Sequence, residues 1–249
     1  MSDYVSALAL LTLDLNVLFV MSESGRIVRV NSPDAEPPPR CVLAGCCSGN
    51  LVRLRDDVGE RTALEVAALV GDQPPWFDPF RTPPCLDPLV RLLSREAAVE
   101  AITRGIIYTM PNGVAHKPGA IPLVCDHAPE GRALAARLAS EGMPQAVVDA
   151  GFFGVDDFWP PWCVALDGGD IASVAFAARL GTRAAEVGVY TLPGCRGRGL
   201  AGAVTARWSS LAELADRRLF YSTLVTNGSS QRVAERLGLA RLGASLSLA

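Results

Sequence analysis

The sequence has 249 residues, of which 49% are hydrophobic, and a formal net charge of −3 at pH 7. This composition predicts a folded protein with one large or two small domains and excludes an intrinsically disordered chain. A general nucleic-acid binder is usually basic, so we expect no nucleic-acid partner.

The cysteines and the N-terminal segment bear on location. Seven cysteines are present, an odd number at irregular spacing, which favours reduced thiols and a cytoplasmic protein. The apolar run at residues 4–21 is interrupted by Asp14 and Asn16 and has no basic start or small-residue cleavage site. We therefore expect no signal peptide and no membrane contact. Cys125-Asp126-His127 matches no standard zinc spacing, so no metal site is predicted.

The N-terminal part of the sequence predicts a smaller α+β domain over residues 1–104. It opens with an apolar helix at residues 4–15 and two strand pairs that each surround a short polar turn ending in glycine. We interpret the two pairs as the start of an antiparallel β-meander. The strand pairs and the two helices that follow them are expected at residues 18–31, 40–55, 60–71 and 86–102.

Residues 105–249 predict a second domain in which strands and helices are interspersed. Residues 160–180 form two strands around an Asp-Gly-Gly-Asp turn. The other strands are expected at residues 105–111, 120–126, 186–192, 219–225 and 240–249. Helices are expected at residues 130–142 and 200–214, and a short helix that closes at Gly238 is expected after a break at residues 227–230.

A glycine- and arginine-rich turn joins the strand at 186–192 to the next helix. It contains G-x-G-x-x-G at Gly197, Gly199 and Gly202, with Arg196 and Arg198 interleaved. The outward N–H groups and dipole of a helix N-terminus attract anions, and arginine adds positive charge. The pattern therefore indicates a binding site for a phosphate or pyrophosphate.

Two nucleotide-binding interpretations of this turn fail. In a dinucleotide fingerprint the strand runs directly into the first glycine, whereas Pro193 and Arg196 intervene here, and Asn227 replaces the acidic residue expected after the next strand. A P-loop would need Gly-Lys-Ser/Thr, which is absent from the sequence. A plain strand-to-helix turn with solubilising arginines remains the alternative.

The run R-G-R-G-L-A at residues 196–201 resembles the R-x-x-G-x-G/A signature of the GNAT superfamily of N-acetyltransferases. Residues 227–238 are similar to the family's N-x-x-[SA]…E-[KR]-L-G segment and follow in the expected order. The resemblance covers roughly residues 105–249 and extends to a GNAT subgroup with an extra N-terminal domain. It implies an α+β fold with a mixed, mostly antiparallel sheet flanked by helices.

The resemblance also implies acetyl-CoA, or another acyl-CoA, as co-substrate. In the family, the strand before the turn pairs with the pantetheine arm, the turn holds the pyrophosphate, and the later asparagine contacts the arm. The cofactor-binding residues implied here are Val189, Tyr190, Thr191, Arg196, Gly197, Arg198, Gly199, Leu200, Ala201, Gly202, Asn227 and Ser230.

Catalysis needs a group that takes a proton from the attacking amine. Glu186, on the strand beside the turn, is the predicted base; the alternative is a strand residue paired with Arg179 or Arg183. Many family members place a leaving-group acid where this chain has Ala234. Residues close enough to substitute for it are Tyr221, Ser222 and Tyr190, although a strand tyrosine is also typical of a protein core.

The predicted function is an N-acetyltransferase that acts directly on an amine, favouring a small molecule. Phe152, Asp156 and Asp157 are candidate acceptor-binding residues, because acidic groups among aromatics suit a cationic amine; a hydrophobic plug is the alternative. A non-catalytic CoA-binding sensor is the second hypothesis. Residues 1–104 are open to shaping the acceptor site, to forming a homodimer interface, or to being a degenerate second copy of the fold.

Overall fold

The computed structural model describes residues 5–34, 36–116 and 121–249. The helices are α1 (Ala7–Leu18), α2 (Glu60–Gly71), α3 (Leu86–Leu93), α4 (Pro129–Glu141), α5 (Gln145–Val148), α6 (Leu200–Trp208) and α7 (Gly228–Arg236). The strands are β1 (Phe19–Met21), β2 (Ile27–Val30), β3 (Cys41–Cys46), β4 (Gly49–Leu54), β5 (Ile102–Met110), β6 (Leu123–Cys125), β7 (Trp162–Asp167), β8 (Asp170–Leu180), β9 (Ala184–Thr191), β10 (Arg218–Leu224) and β11 (Ala240–Leu248). Among the described residues, no helix is long and apolar enough to cross a membrane.

The fold is α+β, as the sequence predicts, and it divides into two compact units built from separate chain segments. The first contains Met1–Thr109, Ser222–Gly228 and Ala240–Ala249, and the second contains Met110–Tyr221 and Ser229–Leu239. The domain boundary predicted near residue 104 lies inside β5.

The first unit is organised around an antiparallel sheet of order β4-β3-β11-β5. The C-terminal strand β11 lies between β3 and β5, with Leu246 opposite Leu43 on one side and Ala244 opposite Ile106 on the other. Helices α2 and α3 and the side chain of Trp76 close the buried core on this sheet. The C-terminus of the chain therefore completes the unit that its N-terminal part begins.

Two N-terminal expectations differ from the structure. The predicted meander is two separate hairpins: β1 and β2 form their own two-stranded sheet, because both edges of β3 are already paired, with β4 and with β11. The helix predicted over 86–102 ends at Leu93, and Ile102 begins β5 instead, opposite Leu248 of β11. In both cases pairing with a strand about 140 to 200 residues away overrides the local pattern.

The second unit contains strands in the order β10-β9-β8-β7-β6, all antiparallel except for the parallel pair β9–β10. One face carries bulky side chains, including Val164, Val174 and Tyr190, which pack with α4 in an apolar core. Helix α6 packs against β7, β8 and β9. Because side chains alternate along a strand, Ala165 and Ala175 lie on the face opposite that core, where their small size suits the close approach of α6.

We predict that Gly131→Ala destabilises the second unit. A Cβ at this position in α4 would lie 1.9 Å from the carbonyl oxygen of Cys125, so the helix or the end of β6 must shift. Overpacking of this kind costs about 1–3 kcal/mol, which urea unfolding should detect. Gly71→Ala, where the new methyl meets nothing within 4 Å, is the matched control and should be neutral or stabilising. Equal stability of the two variants would contradict the prediction.

Candidate active site

The site begins where β9 and β10 separate. Their parallel pairing covers three residue pairs and ends at Glu186 and Phe220. Beyond that point β9 continues to Thr191, paired with β8 on its other side. Within the described part of the second unit, the edge of β9 from Val187 onward therefore has no partner strand.

The hydrogen-bond pattern shows which groups of β9 face this open edge. The amide of Leu192 donates to the carbonyl of Ala172 (3.0 Å), which makes Thr191 and Ser173 a non-hydrogen-bonded pair of the antiparallel ladder. Because the two kinds of pair alternate, Val189 has the same setting as Thr191. The N–H and C=O groups of Val189 therefore point away from β8 and into the opening.

The intervening residue Tyr190 behaves differently. Alternation directs its backbone groups toward β8, and its carbonyl also accepts a hydrogen bond from Ser173 Oγ (2.9 Å). Its ring packs against that of Phe152, with centroids 5.9 Å apart. Of the three residues predicted for this role, Val189 and Thr191 thus offer backbone to the open edge, whereas Tyr190 contributes to the core.

The turn after β9 leads directly into the N-terminus of α6. After a 3-10 turn at Pro193–Cys195, Gly197 and Gly199 both have φ of +79°, and Gly199 is the N-cap of α6. Such a backbone conformation is accessible to glycine at little cost and is strained for other residues. The first N–H groups of an α-helix have no acceptor within that helix, and Gly199 directly precedes the first turn of α6. Such N–H groups, together with the helix dipole, favour an anion at this position.

Both arginines of the turn have partners within the protein. Arg198 forms an ion pair with Asp167 at the end of β7, and the hydrogen bond from Arg198 holds the pKa of that carboxyl below its usual value. Arg196 Nε donates to the carbonyl of Thr191 (3.2 Å). The Asp-Gly-Gly-Asp sequence indicated only a hairpin here, so the acidic partner of Arg198 was missed from sequence.

His116 was also missed as a neighbour of the turn. A Cβ at Gly202 would lie 3.3 Å from Cε1 of His116, so this exposed imidazole lies close to the first turn of α6 and would have to shift slightly for any larger residue there. No spacing signal connects two residues 86 positions apart in the chain.

Glu186 is the last residue of β9 that pairs with β10. It is buried, with 9% of its surface exposed, and its register partners are Phe220 on β10 and Arg179 on β8. Strand alternation places its side chain on the same face as Gly188 and Tyr190. The predicted base is thus at the junction where the two strands begin to separate, and the arginine named in the alternative interpretation lies directly opposite.

Tyr221 is the next residue of β10, and its hydroxyl reaches the first turn of α7. The phenol oxygen lies 2.6 Å from Ser230 Oγ, and Tyr221 is 3% exposed. Ala234 lies one helical turn beyond Ser230, on the same face of α7, and is fully buried. The tyrosine hydroxyl is therefore held beside the helix face on which the family's usual tyrosine would stand.

The family comparison matches this geometry. Residues 162–243 match the family model of the GNAT acetyltransferases, and this range holds the separating strands, the glycine turn and α7. Residues 162–243 are therefore similar to a GNAT acetyltransferase domain, as the sequence pattern implies, and the chemistry of that family is acyl transfer.

Solved structures of GNAT proteins are also similar over most of the chain. A GNAT-family protein from Novosphingobium aromaticivorans DSM 12444 is 18% identical, with a TM-score of 0.45 over 81% of this chain and 84% of that one. A GCN5-related N-acetyltransferase-like protein from Streptococcus suis 89/1591 is 16% identical, with a TM-score of 0.45 over 88% and 87%. No curated protein matches the sequence.

The predicted acceptor-binding residues lie before the matched range and have different surroundings. Phe152 lies in the apolar core, with its ring centroid 5.0 Å from that of Phe158 and 5.8 Å from that of Phe176. Asp157 Oδ2 accepts hydrogen bonds from the amides of Phe153 (2.5 Å) and Gly154 (2.9 Å), so it caps the 3-10 turn at Val155–Asp157. Asp156 in the same turn is exposed.

Two predicted residues belong to the first unit. Asn227 is exposed in the turn between β10 and α7, and its amide donates to the carbonyl of Leu224 (3.0 Å). Ser222 Oγ is buried and has no hydrogen-bond partner among the described residues.

We predict an energetic coupling between Tyr221 and Ser230. Removing either hydroxyl deletes the hydrogen bond between the two side chains, and such a bond contributes about 0.5–1.5 kcal/mol. A double-mutant cycle of Tyr221→Phe and Ser230→Ala, measured by urea unfolding, should therefore give a coupling free energy of about 0.5 kcal/mol or more. Ser229→Ala, at an exposed position, serves as the control and should show no coupling free energy with Tyr221→Phe. Additive effects of Tyr221→Phe and Ser230→Ala would contradict the pair.

Proposed function

We propose that this protein is an N-acetyltransferase that moves an acetyl group from acetyl-CoA to an amine, by direct transfer, with a small-molecule acceptor. The observation that carries the proposal is the open backbone edge of β9, which leads at Val189 into the amide-lined turn of residues 197–202. An extended arm that ends in a pyrophosphate is complementary to this combination of open edge and anion-binding turn.

The described residues fit the co-substrate. The N–H and C=O groups of Val189 are placed to pair with the amides of a pantetheine arm as a further strand would. The amides of residues 197–202 suit the pyrophosphate, and Arg198 adds charge if its contact with Asp167 is shared or exchanged on binding. When bound, acetyl-CoA supplies a thioester carbonyl that an amine can attack.

Glu186 is the proposed base. A protonated amine is a poor nucleophile, so its proton must leave before attack, directly to the carboxylate or through one water. The burial of Glu186 and its position where β9 and β10 separate support this role, since the reacting end of an arm lying along Val189 would be near that junction.

Tyr221 is the proposed proton donor to the departing thiolate. Its hydroxyl is oriented by Ser230 on the face of α7 that also carries Ala234. Because a thiol has a pKa of about 8.5, a thiolate is a moderate leaving group. The proton donor therefore assists departure of the CoA thiolate without being indispensable.

The acceptor is proposed to be a cationic small-molecule amine. Asp156 is exposed in the segment that precedes β7, next to the aromatic group around Phe152, and can attract such a cation. Asp157 and Phe152 would support this segment rather than contact the acceptor, since both are engaged within the protein.

A non-catalytic acyl-CoA sensor is the second candidate function. The observation that favours it is the fully buried Ala234, which leaves no phenol at the position where many GNAT enzymes place one. Both candidates bind acyl-CoA, and only the enzyme releases CoA thiol.

The first test combines binding and turnover. Acetyl-CoA should raise the melting temperature of the wild-type protein, and a panel of small amines should give amine-dependent release of CoA thiol. Glu186→Gln should lower this rate about 10²-fold or more while the acetyl-CoA shift persists, because a general base contributes about 10²–10⁴-fold. The control is the exposed Glu141→Gln at the end of α4.

The outcomes separate the hypotheses. No thermal shift would overturn both candidates, and a shift without thiol release across the amine panel would favour the sensor. Unchanged turnover in Glu186→Gln would overturn the assignment of the base alone.

A second test addresses the open edge of β9. Val189→Pro removes one backbone N–H that is not used by β8, so the unit should remain folded while its affinity for acetyl-CoA falls at least about 10-fold. Val189→Ala alters the side chain, keeps the amide and should bind normally. Isothermal titration gives the affinities, and circular dichroism checks the fold. Normal binding by folded Val189→Pro would contradict the pairing of this edge with the pantetheine arm.

A further inference from the structure

A pair of cysteines in the second unit lies outside the proposed acyl-CoA site. Cys125 is the last residue of β6, and its register partner on β7 is Cys163. Both are buried, at 2% and 0% exposed, and both are free thiols. By strand alternation Cys163 is on the face opposite Val164, which points into the apolar core, so the pair is on the side of the sheet against which α6 packs.

The backbone hydrogen bonds define the geometry of this pair. The amide of Asp126 donates to the carbonyl of Trp162 (3.2 Å), and the amide of Leu166 donates to that of Pro122 (3.0 Å). These bonds flank a stretch in which Cys125 and Cys163 occupy a non-hydrogen-bonded position, where opposing Cα atoms are about 4.5 Å apart and side chains are closest. A disulfide needs a Cα separation of about 4.4–6.8 Å, so the cysteines can be joined with little movement of the backbone.

The two thiols differ in their electrostatic setting. A hydrogen bond from Cys163, together with the positive charge of Arg207 in the last turn of α6, lowers the pKa of Cys125 to about 7 against the opposing effect of burial. The same hydrogen bond and burial raise the pKa of Cys163. His127 also helps to lower the pKa of Cys125, and the negative charge of Asp126 helps to raise the pKa of Cys163. Cys125 is therefore the nucleophile of the pair and Cys163 the proton-bearing partner.

We propose that Cys125 and Cys163 are a redox site that converts reversibly between two thiols and one disulfide in response to a peroxide. The thiolate of Cys125 attacks one oxygen of hydrogen peroxide, the O–O bond breaks and the sulfur becomes a sulfenic acid. The departing hydroxide takes up a proton from solvent, equivalent to the one that Cys125 released on ionisation, and leaves as the first water. Cys163 sulfur then attacks the sulfenic sulfur, loses its proton and displaces the hydroxyl as a second water. The balance is two thiols and one peroxide to one disulfide and two waters.

Access for the oxidant comes from the position of β6. It is a three-residue strand at the edge of the sheet, and among the described strands it pairs with β7 alone. Local opening of such a short edge strand requires far less free energy than global unfolding. The sulfur of Cys125 is therefore reachable although it is covered in the closed structure.

The first unit supplies an internal control. Cys41 and Cys85 are close enough to interact electrostatically, but burial raises the pKa of each, so no thiolate is available at neutral pH. Cys47 is exposed and has no register-paired cysteine. We therefore expect selective linkage of Cys125 with Cys163 and no linkage of Cys41 with Cys85.

The test uses the 249-residue chain with Cys47→Ser, which keeps six of the seven cysteines. The protein is treated with hydrogen peroxide, alkylated and digested without reductant. We expect a peptide linked through Cys125 and Cys163, a loss of two thiols by titration in denaturant, and their recovery with dithiothreitol. Cys163→Ser should instead yield a Cys125 sulfenic acid that dimedone traps. Linkage of other cysteines, or unmodified Cys125 under conditions that oxidise a small-molecule thiol of similar pKa, would overturn the proposal.

Arg207 allows a test through the pH dependence of oxidation, which would not change if the cysteine pair had only a structural role. Arg207→Gln should shift the pH at which the oxidation rate is half-maximal upward, because the thiolate loses a favourable charge, whereas Arg207→Lys should largely restore it. An unchanged pH profile in Arg207→Gln would remove Arg207 from the site. Turnover of acetyl-CoA is measured separately, so this result and the proposed function can fail independently.

Discussion

The separation of β9 from β10 after Glu186 is the constraint on which the second unit depends. Parallel pairing that stops after three residue pairs leaves the N–H and C=O groups of Val189 and Thr191 directed away from β8. Backbone polar groups require partners, so an edge of this kind must be satisfied by water, by side chains or by an extended ligand. Arg196 satisfies one carbonyl, that of Thr191, and in the proposed function an acyl-CoA arm would satisfy the groups of Val189. The same separation places the buried Glu186 at the inner end of the opening.

Helix α6 connects the two chemistries inferred for this unit. Small side chains such as Ala165 and Ala175 on the facing strands allow it to pack closely, and Trp208 anchors its C-terminal end through a hydrogen bond to the carbonyl of Pro161 (2.8 Å). Its N-terminus presents the amides that suit a pyrophosphate, and its last turn brings Arg207 to Cys125. A helix of nine residues thus fixes both positions, because its two ends are held by the same sheet face.

Local sequence signals predicted much of the fold. The helix Glu60–Gly71 and both N-terminal hairpins follow from periodicity and turn residues, which act over a few residues. Prediction failed where distant contacts intervened. The helix expected over 200–214 ends at Trp208, because the buried hydroxyl of Ser209 bonds to the carbonyl of Ala206 (2.7 Å) and the amide of Val114 (3.0 Å). The contribution of β11 to the first unit was likewise absent from the sequence, since strand pairing carries no local signature.

The candidate site, like the fold, depends partly on local sequence signals and partly on contacts between distant segments. The sequence by itself determined the glycine turn and the class of ligand it suits, because a positive φ at Gly197 and Gly199 and the amides of a helix N-terminus are properties of a few adjacent residues. Only the tertiary structure decided that Val189 rather than Tyr190 presents its backbone to the opening, that Arg198 is held by Asp167, and that Tyr221 reaches Ser230. It also decided that Cys125 faces Cys163. Each of these contacts depends on strand register or on the packing of a helix, and both are fixed by burial and hydrogen bonding between segments far apart in the chain.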